Sequence, residues 1–162
     1  MLTQEQLKEL LSYDPETGIF TWLKAVSKSV RVGSIAGSFD KKGYIRIGLL
    51  RRRYSAHRLA FLYMTGSFPP NDTDHINGVR NDNRWINLRQ ATNSENQRNQ
   101  GKPITNTSGY KGVSWNKRAK KWLAKIKHMN HDIHLGYFDS PEAAHQAYIE
   151  AAEKLHGDFA NY

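Results

Sequence analysis

Residues 74–99 read DHINGVRNDNRWINLRQATNSENQRN and hold seven asparagines around one Asp74-His75 pair. Hydrolysing a phosphodiester needs a base for water, a positive centre against the phosphate oxygens, and stabilisation of the leaving 3′-oxygen. A neutral histidine can supply the first, and one divalent metal the other two. A hard cation such as Mg²⁺ accepts carboxylate and amide oxygens and keeps several waters. One Asp and one Asn carbonyl suffice when the substrate phosphate supplies more. Fewer acids also repel DNA less, which is a physical reason for amides here. A string of asparagines by itself fits a polar loop; the Asp-His pair and a capped helix in register with it are what sharpen the reading.

Successive side chains of a strand point to opposite faces. Asp74 and His75 can therefore reach one phosphate only if the strand breaks there, and Asn77-Gly78 is a turn signal. Leu88 to Thr92 can form the returning strand. Thr92-Asn93-Ser94-Glu95 has capping-box spacing, so a helix is predicted from 93 through Arg98, with Asn96 in its first turn. That helix brings Asn96 back toward Asp74. Asn87 closes the loop, where an amide can bond backbone groups and hold the His75 segment still.

The elements around this stretch are less regular. Thr3 and Gln6 have capping-box spacing, and Leu7, Leu10 and Leu11 share a face, which predicts a helix over 3–12. Residues 13–22 read as a turn feeding a short strand, and Tyr44, Ile45 and Ile47 as another strand. Residues 55–65 read as a helix stopped by Gly66. His57, on that helix in an apolar setting, reads as structural. Arg51-Arg52-Arg53 either contacts phosphate or forms a polar turn. Residues 101–109, polar with Gly and Pro, are the expected linker. No Asp or Glu occurs between Glu95 and Asp132, while nine Lys and Arg do. Three strand-like runs follow, at 110–115, 121–128 and 132–138. Ser140-Pro141 then opens a helix as N-cap and N1. The strand pair at 111–127 alternates lysine with apolar residues and so presents lysines on one side, suited to DNA. His128, His131 and His134 read as plain surface residues. Trp22, Trp85 and Trp122 read as core.

The chain has 162 residues, a formal net charge of +9 and no cysteine. That charge points to a polyanionic partner. The absence of cysteine excludes disulfides and Cys-based zinc sites. No apolar run approaches the ~20 residues that span a bilayer, and the N-terminus does not read as a secretory signal. Nucleic acid is therefore the expected polyanion, with no membrane partner.

Asp74-His75, the NRWINLR run with Asn87, and Asn96 within NSENQRN resemble the HNH, or ββα-metal, nuclease family, and within it the phage and intron-encoded homing endonucleases. The resemblance spans roughly residues 13–100. It implies an endonuclease that cuts double-stranded DNA, with Asp74 and Asn96 as metal ligands for Mg²⁺ or Mn²⁺. His75 would be the general base and Asn87 would position the loop. Many HNH enzymes carry a final histidine where this chain has Asn96. YKGVSW, KWLAKI, HLGYFDSPEAAHQAY and the closing GDFANY resemble the AP2 DNA-binding domain over residues 107–162. That family lays its sheet in the major groove, which makes Lys111, Trp115, Arg118, Lys121 and Lys125 the DNA-binding candidates. The turn after Trp115 departs in length from the plant pattern. The expected protein is α+β: an HNH nuclease domain over 1–100, a linker over 101–109, and over 110–162 a three-stranded antiparallel sheet packed on one helix. The resemblance implies a phage or mobile-element product acting in the cytoplasm of a bacterial host. A DNA-binding protein with an inactive nuclease site is the alternative, and an RNA-binding or structural protein a further one.

Overall fold

A computed structural model describes residues 2–99, 101–102, 105–129 and 131–162. Pro103 and Ile104 of the expected linker lie outside the described residues. The chain is α+β and divides into two compact units, Met1–Ala91 and Thr92–Tyr162.

The first unit opens with α1 (Gln4–Leu10), whose capping box is formed. Thr3 Oγ1 accepts from Gln6 N at 3.3 Å and Gln6 Oε1 accepts from Thr3 N at 3.2 Å. The helix stops two residues short of its predicted end, because Leu11 turns extended (φ −134°, ψ 140°) and pairs with Trp22. Leu11–Asp14 is thus a strand, β1, and forms a hairpin with β2 (Ile19–Trp22). The spacing of Leu7, Leu10 and Leu11 fits a helix or a helix-to-strand turn equally, so it does not fix this boundary. A three-stranded antiparallel sheet follows, in the order β3 (Ser38–Phe39), β4 (Ile45–Leu49), β5 (Arg52–Ser55). The arginine triplet therefore runs from the β4–β5 turn into β5.

Ser55 ends β5 and stands at the N-cap of α2 (Ala56–Thr65), which starts one residue later than predicted. Gly66, at φ 83°, stops the helix by donating its N–H to Leu62 O at 3.0 Å, a conformation glycine adopts at no steric cost. Leu7, Leu11, Phe20, Ile47 and Leu59 are fully buried between α1, β1, β2, β4 and α2. Each such side chain contributes roughly 1.5–3 kcal/mol over its exposed state. This core is the platform for β6 (Asp72–His75) and β7 (Leu88–Ala91), an antiparallel pair that contributes Leu88 to it.

The second unit contains α3 (Asn93–Asn99), β8 (Val113–Asn116), β9 (Lys121–His128), β10 (His131–Phe138) and α4 (Pro141–His156). The three strands form one antiparallel sheet in the order β10-β9-β8. β8 starts three residues later than predicted, because Ser108 and Asn106 side chains hold residues 108–110 in a turn. Ser140 Oγ accepts from Ala143 N at 3.1 Å and caps α4 as the sequence predicts. Ala124, Ala144 and Ala152 are fully buried, so small side chains let α4 lie close to the sheet. No helix among the described residues is long and apolar enough to cross a membrane.

Candidate active site

β6 pairs with β7 so that Asp74 faces Arg89 and His75 faces Leu88. Asp74 is only 5% exposed. Its Oδ2 accepts from Arg89 Nε at 3.0 Å and Nη2 at 2.9 Å, a two-pronged ion pair inside the hairpin. The guanidinium thereby fixes the direction of the carboxylate.

His75, 4% exposed, is the last residue of β6. Its ring meets the rings of His57 at 5.1 Å, edge-on, and Tyr44 at 6.0 Å. His75 Nε2 lies 3.2 Å from Asn83 Oδ1. Asn83 Nδ2 donates to Asn81 O at 3.3 Å, which turns its Oδ1 toward the imidazole. With Asn83 Oδ1 as the acceptor, the shared hydrogen is carried by His75 Nε2. Burial lowers the pKa of His75, partly opposed by the Asn83 hydrogen bond and the Asp74 charge. The imidazole is consequently neutral at neutral pH, as a base must be.

The loop between the strands is built from amides. Asn87 Oδ1 accepts from Asn77 N at 3.0 Å, and Asn87 Nδ2 donates to Asp82 O at 2.8 Å and Asn77 Oδ1 at 3.0 Å. Asn77 Nδ2 in turn donates to Asp82 Oδ2 at 2.7 Å, and Asp82 is bridged by Arg84. These contacts clamp residues 77–87 directly behind His75.

The β1–β2 hairpin presses on the same loop. Tyr13 Oη donates to Asn83 O at 2.7 Å and Trp85 N donates to Pro15 O at 2.9 Å. Gly18, at φ 73°, packs so closely that a Cβ there would collide with Asn83 C and Arg84 N. A cavity of about 220 Å³, lined in part by Phe20, Ala36, Ala56, Asn81 and Asn83, opens beside this contact.

Asp74, His75 and Asn87 thus share one hairpin. Asn96 is on α3, in the second unit, with its N–H donated to Thr92 O at 2.9 Å. The capping box that begins α3 is formed: Glu95 N donates to Thr92 Oγ1 at 3.3 Å and Thr92 N donates to Glu95 Oε2 at 2.8 Å. Among the described residues no group of three or more His, Asp or Glu side chains is gathered to hold a metal ion. A donor set of one carboxylate and one amide suits a hard, largely hydrated cation and not zinc.

Three further side chains bear on the pair. Arg89 can be found by counting register across the hairpin from Asp74. Asn83 carries no spacing signal that separates it from its neighbours. His57 is buried at the start of α2, and only the tertiary fold brings it to His75.

In the second unit Lys121 and Lys125 lie on the exposed face of β9, beside Asp139 at 3.1 Å and Asp132 at 3.0 Å. Trp115, 47% exposed, meets Trp122 edge-on at 5.2 Å, and Arg118 is exposed in the β8–β9 turn. Lys111 differs from these. It is half-buried beside Tyr148 and His156 in a cavity of about 140 Å³, and burial lowers its pKa to about 8.

A family model for HNH endonucleases matches residues 54–98, and one for the AP2 domain matches residues 108–158. Protein 3.8 of Escherichia phage T7 is 35% identical over 89 residues, which cover 55% of this chain and 73% of that protein. A solved structure titled for DNA binding and cleavage by the HNH homing endonuclease I-HmuI aligns with a TM-score of 0.42 and 22% identity, over 91% of this chain and 85% of that one.

Proposed function

The chain belongs to the HNH endonuclease family and carries an AP2 domain, and from that premise we propose that it is a metal-dependent endonuclease of the homing type that cuts double-stranded DNA. The observation that carries the chemistry is the buried, neutral His75, oriented through Nε2 by Asn83 and adjacent to a carboxylate held by Arg89. The His75 imidazole takes a proton from water as the oxygen attacks phosphorus. The bond from phosphorus to the 3′-oxygen breaks, leaving a 5′-phosphate and a 3′-hydroxyl. Asn87 keeps the loop from drifting away from the base.

Asp74 and, by its place in the motif, Asn96 are the proposed ligands of Mg²⁺ or Mn²⁺. When bound, the ion supplies positive charge against the phosphate and the departing oxygen. Lys121, Lys125, Arg118 and Trp115 are the proposed DNA contacts of the AP2 domain. Lys111, with its amine in a cavity, joins them as the member most dependent on local rearrangement.

Cleavage of labelled duplex DNA and of RNA, with Mg²⁺ and with EDTA, tests the reading. DNA should be cut with Mg²⁺ and spared with EDTA. His75→Ala should slow cutting by roughly 10²–10⁴-fold with little change in DNA affinity, the usual cost of losing a general base. A His75→Ala chain that cuts at the wild-type rate at neutral pH would overturn the assignment.

A further inference from the structure

Lys111 starts from a pinned stretch of backbone. Its neighbour Gly112, at φ 73°, lies against α4, and a Cβ there would collide with the Tyr148 ring and with Lys125 O. Gly112 O also accepts from Lys125 N at 2.9 Å. Glycine is therefore required at 112 both by its φ and by the approach. A surface lysine ordinarily buries its stem and carries its ammonium out to water. At Lys111 burial reaches the amine and lowers its pKa to about 8.

The cavity that Lys111 lines, about 140 Å³, lies in the second unit where α3, the end of β9 and α4 meet. Its described lining includes a second lysine, Lys127, and no carboxylate. Ser94 adds a hydroxyl and Gln97 an amide, both from α3. Burial pushes the Tyr148 hydroxyl up to about 12, so it stays protonated and able to donate. His156 Nε2 lies 3.1 Å from Lys127 O, which fixes the end of β9 against α4. A water needs roughly 10–15 Å³ of such space, so the cavity has room for a tetrahedral oxyanion with part of its water. Desolvating an ammonium is unfavourable, and an opposite charge within about 4–6 Å reverses the effect.

We propose that this cavity is a phosphate-binding site, in which Lys111 and Lys127 supply the positive charge and Ser94 a hydroxyl donor. Lysine binds phosphate as a point charge through charge-assisted hydrogen bonds. The occupant joins α3 to β9 and α4, apart from the Asp74-His75 hairpin and from Lys121 and Lys125 on the exposed face of β9. Free phosphate and a phosphate of bound nucleic acid share this chemistry, and the experiment separates them.

The test is calorimetric titration of the full chain with sodium phosphate at neutral pH in EDTA, with ionic strength held constant by sodium chloride. The wild type should bind saturably, one phosphate per chain. Lys111→Met and Lys127→Met should each weaken binding about 10-fold or more, the effect of losing one hydrogen bond to a charged group. Lys24→Met, which removes the same charge from the first unit, should bind like the wild type. Binding that does not saturate, or that neither cavity variant weakens, overturns the site. If Lys111→Met loses its cooperative melt, Lys127→Met decides, since position 127 is exposed on its strand. A second arm adds saturating phosphate to the chain bound to a labelled duplex at the same ionic strength. Release of duplex from the wild type but not from Lys111→Met supports the site with a nucleic-acid phosphate as its occupant. Duplex retained by the phosphate-loaded wild type supports it with free phosphate as the occupant. A wild type that binds no phosphate overturns the site and leaves the endonuclease reading intact.

Discussion

Arg89 and His57 stand on either side of the Asp74-His75 pair and tie it to the fold in different ways. The Arg89 guanidinium faces a carboxylate that is nearly closed to solvent. Removing one partner of a buried ion pair costs roughly 3–5 kcal/mol. Arg89→Ala should therefore lower the stability of the first unit by about 3 kcal/mol in urea unfolding, a loss as large as a core truncation. A change within about 0.5 kcal/mol, the range of an ordinary surface substitution, would show that the pair is not buried in solution. His57 is tied through protons. Burial, together with the charges of His75, Arg46 and Arg58, lowers its pKa from 6.5 to about 3. Between those values the unfolded chain binds more protons than the folded one, so stability rises with pH across the window and is lost on acidification below 6.5. One such group contributes up to about 1.4 kcal/mol per pH unit. His75, shifted the same way by burial, adds to the slope. His57→Phe, which keeps an aromatic ring and removes the titrating group, should flatten the acid side of the urea midpoint against pH. An unchanged slope would mean that His57 does not carry the linkage.

At the scale of elements, two glycines in the left-handed region separate strain from collision. A Cβ at Gly78 (φ 72°) would meet nothing within 4 Å, whereas Gly18 (φ 73°) lies against the backbone of Asn83 and Arg84. Gly78→Ala should cost only the conformational term, roughly 1–2 kcal/mol. Gly18→Ala should cost more and should also slow cleavage, since Asn83 must shift and it is the residue that orients His75. Thermal melts paired with cleavage rates would distinguish the two. Equal damage from both substitutions would deny the β1–β2 hairpin its part in holding the loop. These elements also show what a linear sequence conveys. The Thr92–Glu95 and Thr3–Gln6 boxes and the Ser140-Pro141 start are contacts within four residues, so spacing alone reveals them. The end of α1 and the start of β8 depart from the spacing because a cross-strand pair, Leu11 with Trp22, sets one and a side-chain-held turn sets the other. The Asn83–His75 and His57–His75 contacts depend on folding of the loop and the packing of α2, and neither leaves a periodic signal.

For the whole molecule, the division into two compact units predicts a division of labour. Residues 92–162 contain a complete sheet, α4 and two buried clusters, and lack Asp74, His75 and Asn87. This piece should bind duplex DNA and cut none. Its log K should fall by roughly 0.9 per phosphate neutralised for each unit of log salt. Replacing Lys121 and Lys125 together should reduce that slope by about 1 to 2 units if each meets one phosphate. Loss of sequence preference at constant slope would instead assign them to bases. No binding at low salt by a piece that circular dichroism shows to be folded would remove the second unit from DNA recognition.

The four tryptophans fall two to each unit, and their surroundings differ. Trp22 is 6% exposed within the first core, whereas Trp115 is 47% exposed beside the turn that carries Lys117, Arg118 and Lys120. A dissolved anion gathers around such cations and a dissolved cation avoids them. Iodide should therefore dim the red edge of the intrinsic fluorescence far more than caesium does, and the quenchable light should come from Trp115. Adding duplex DNA should shield that fraction, so the indole ring already present in the chain can report occupancy without an attached dye.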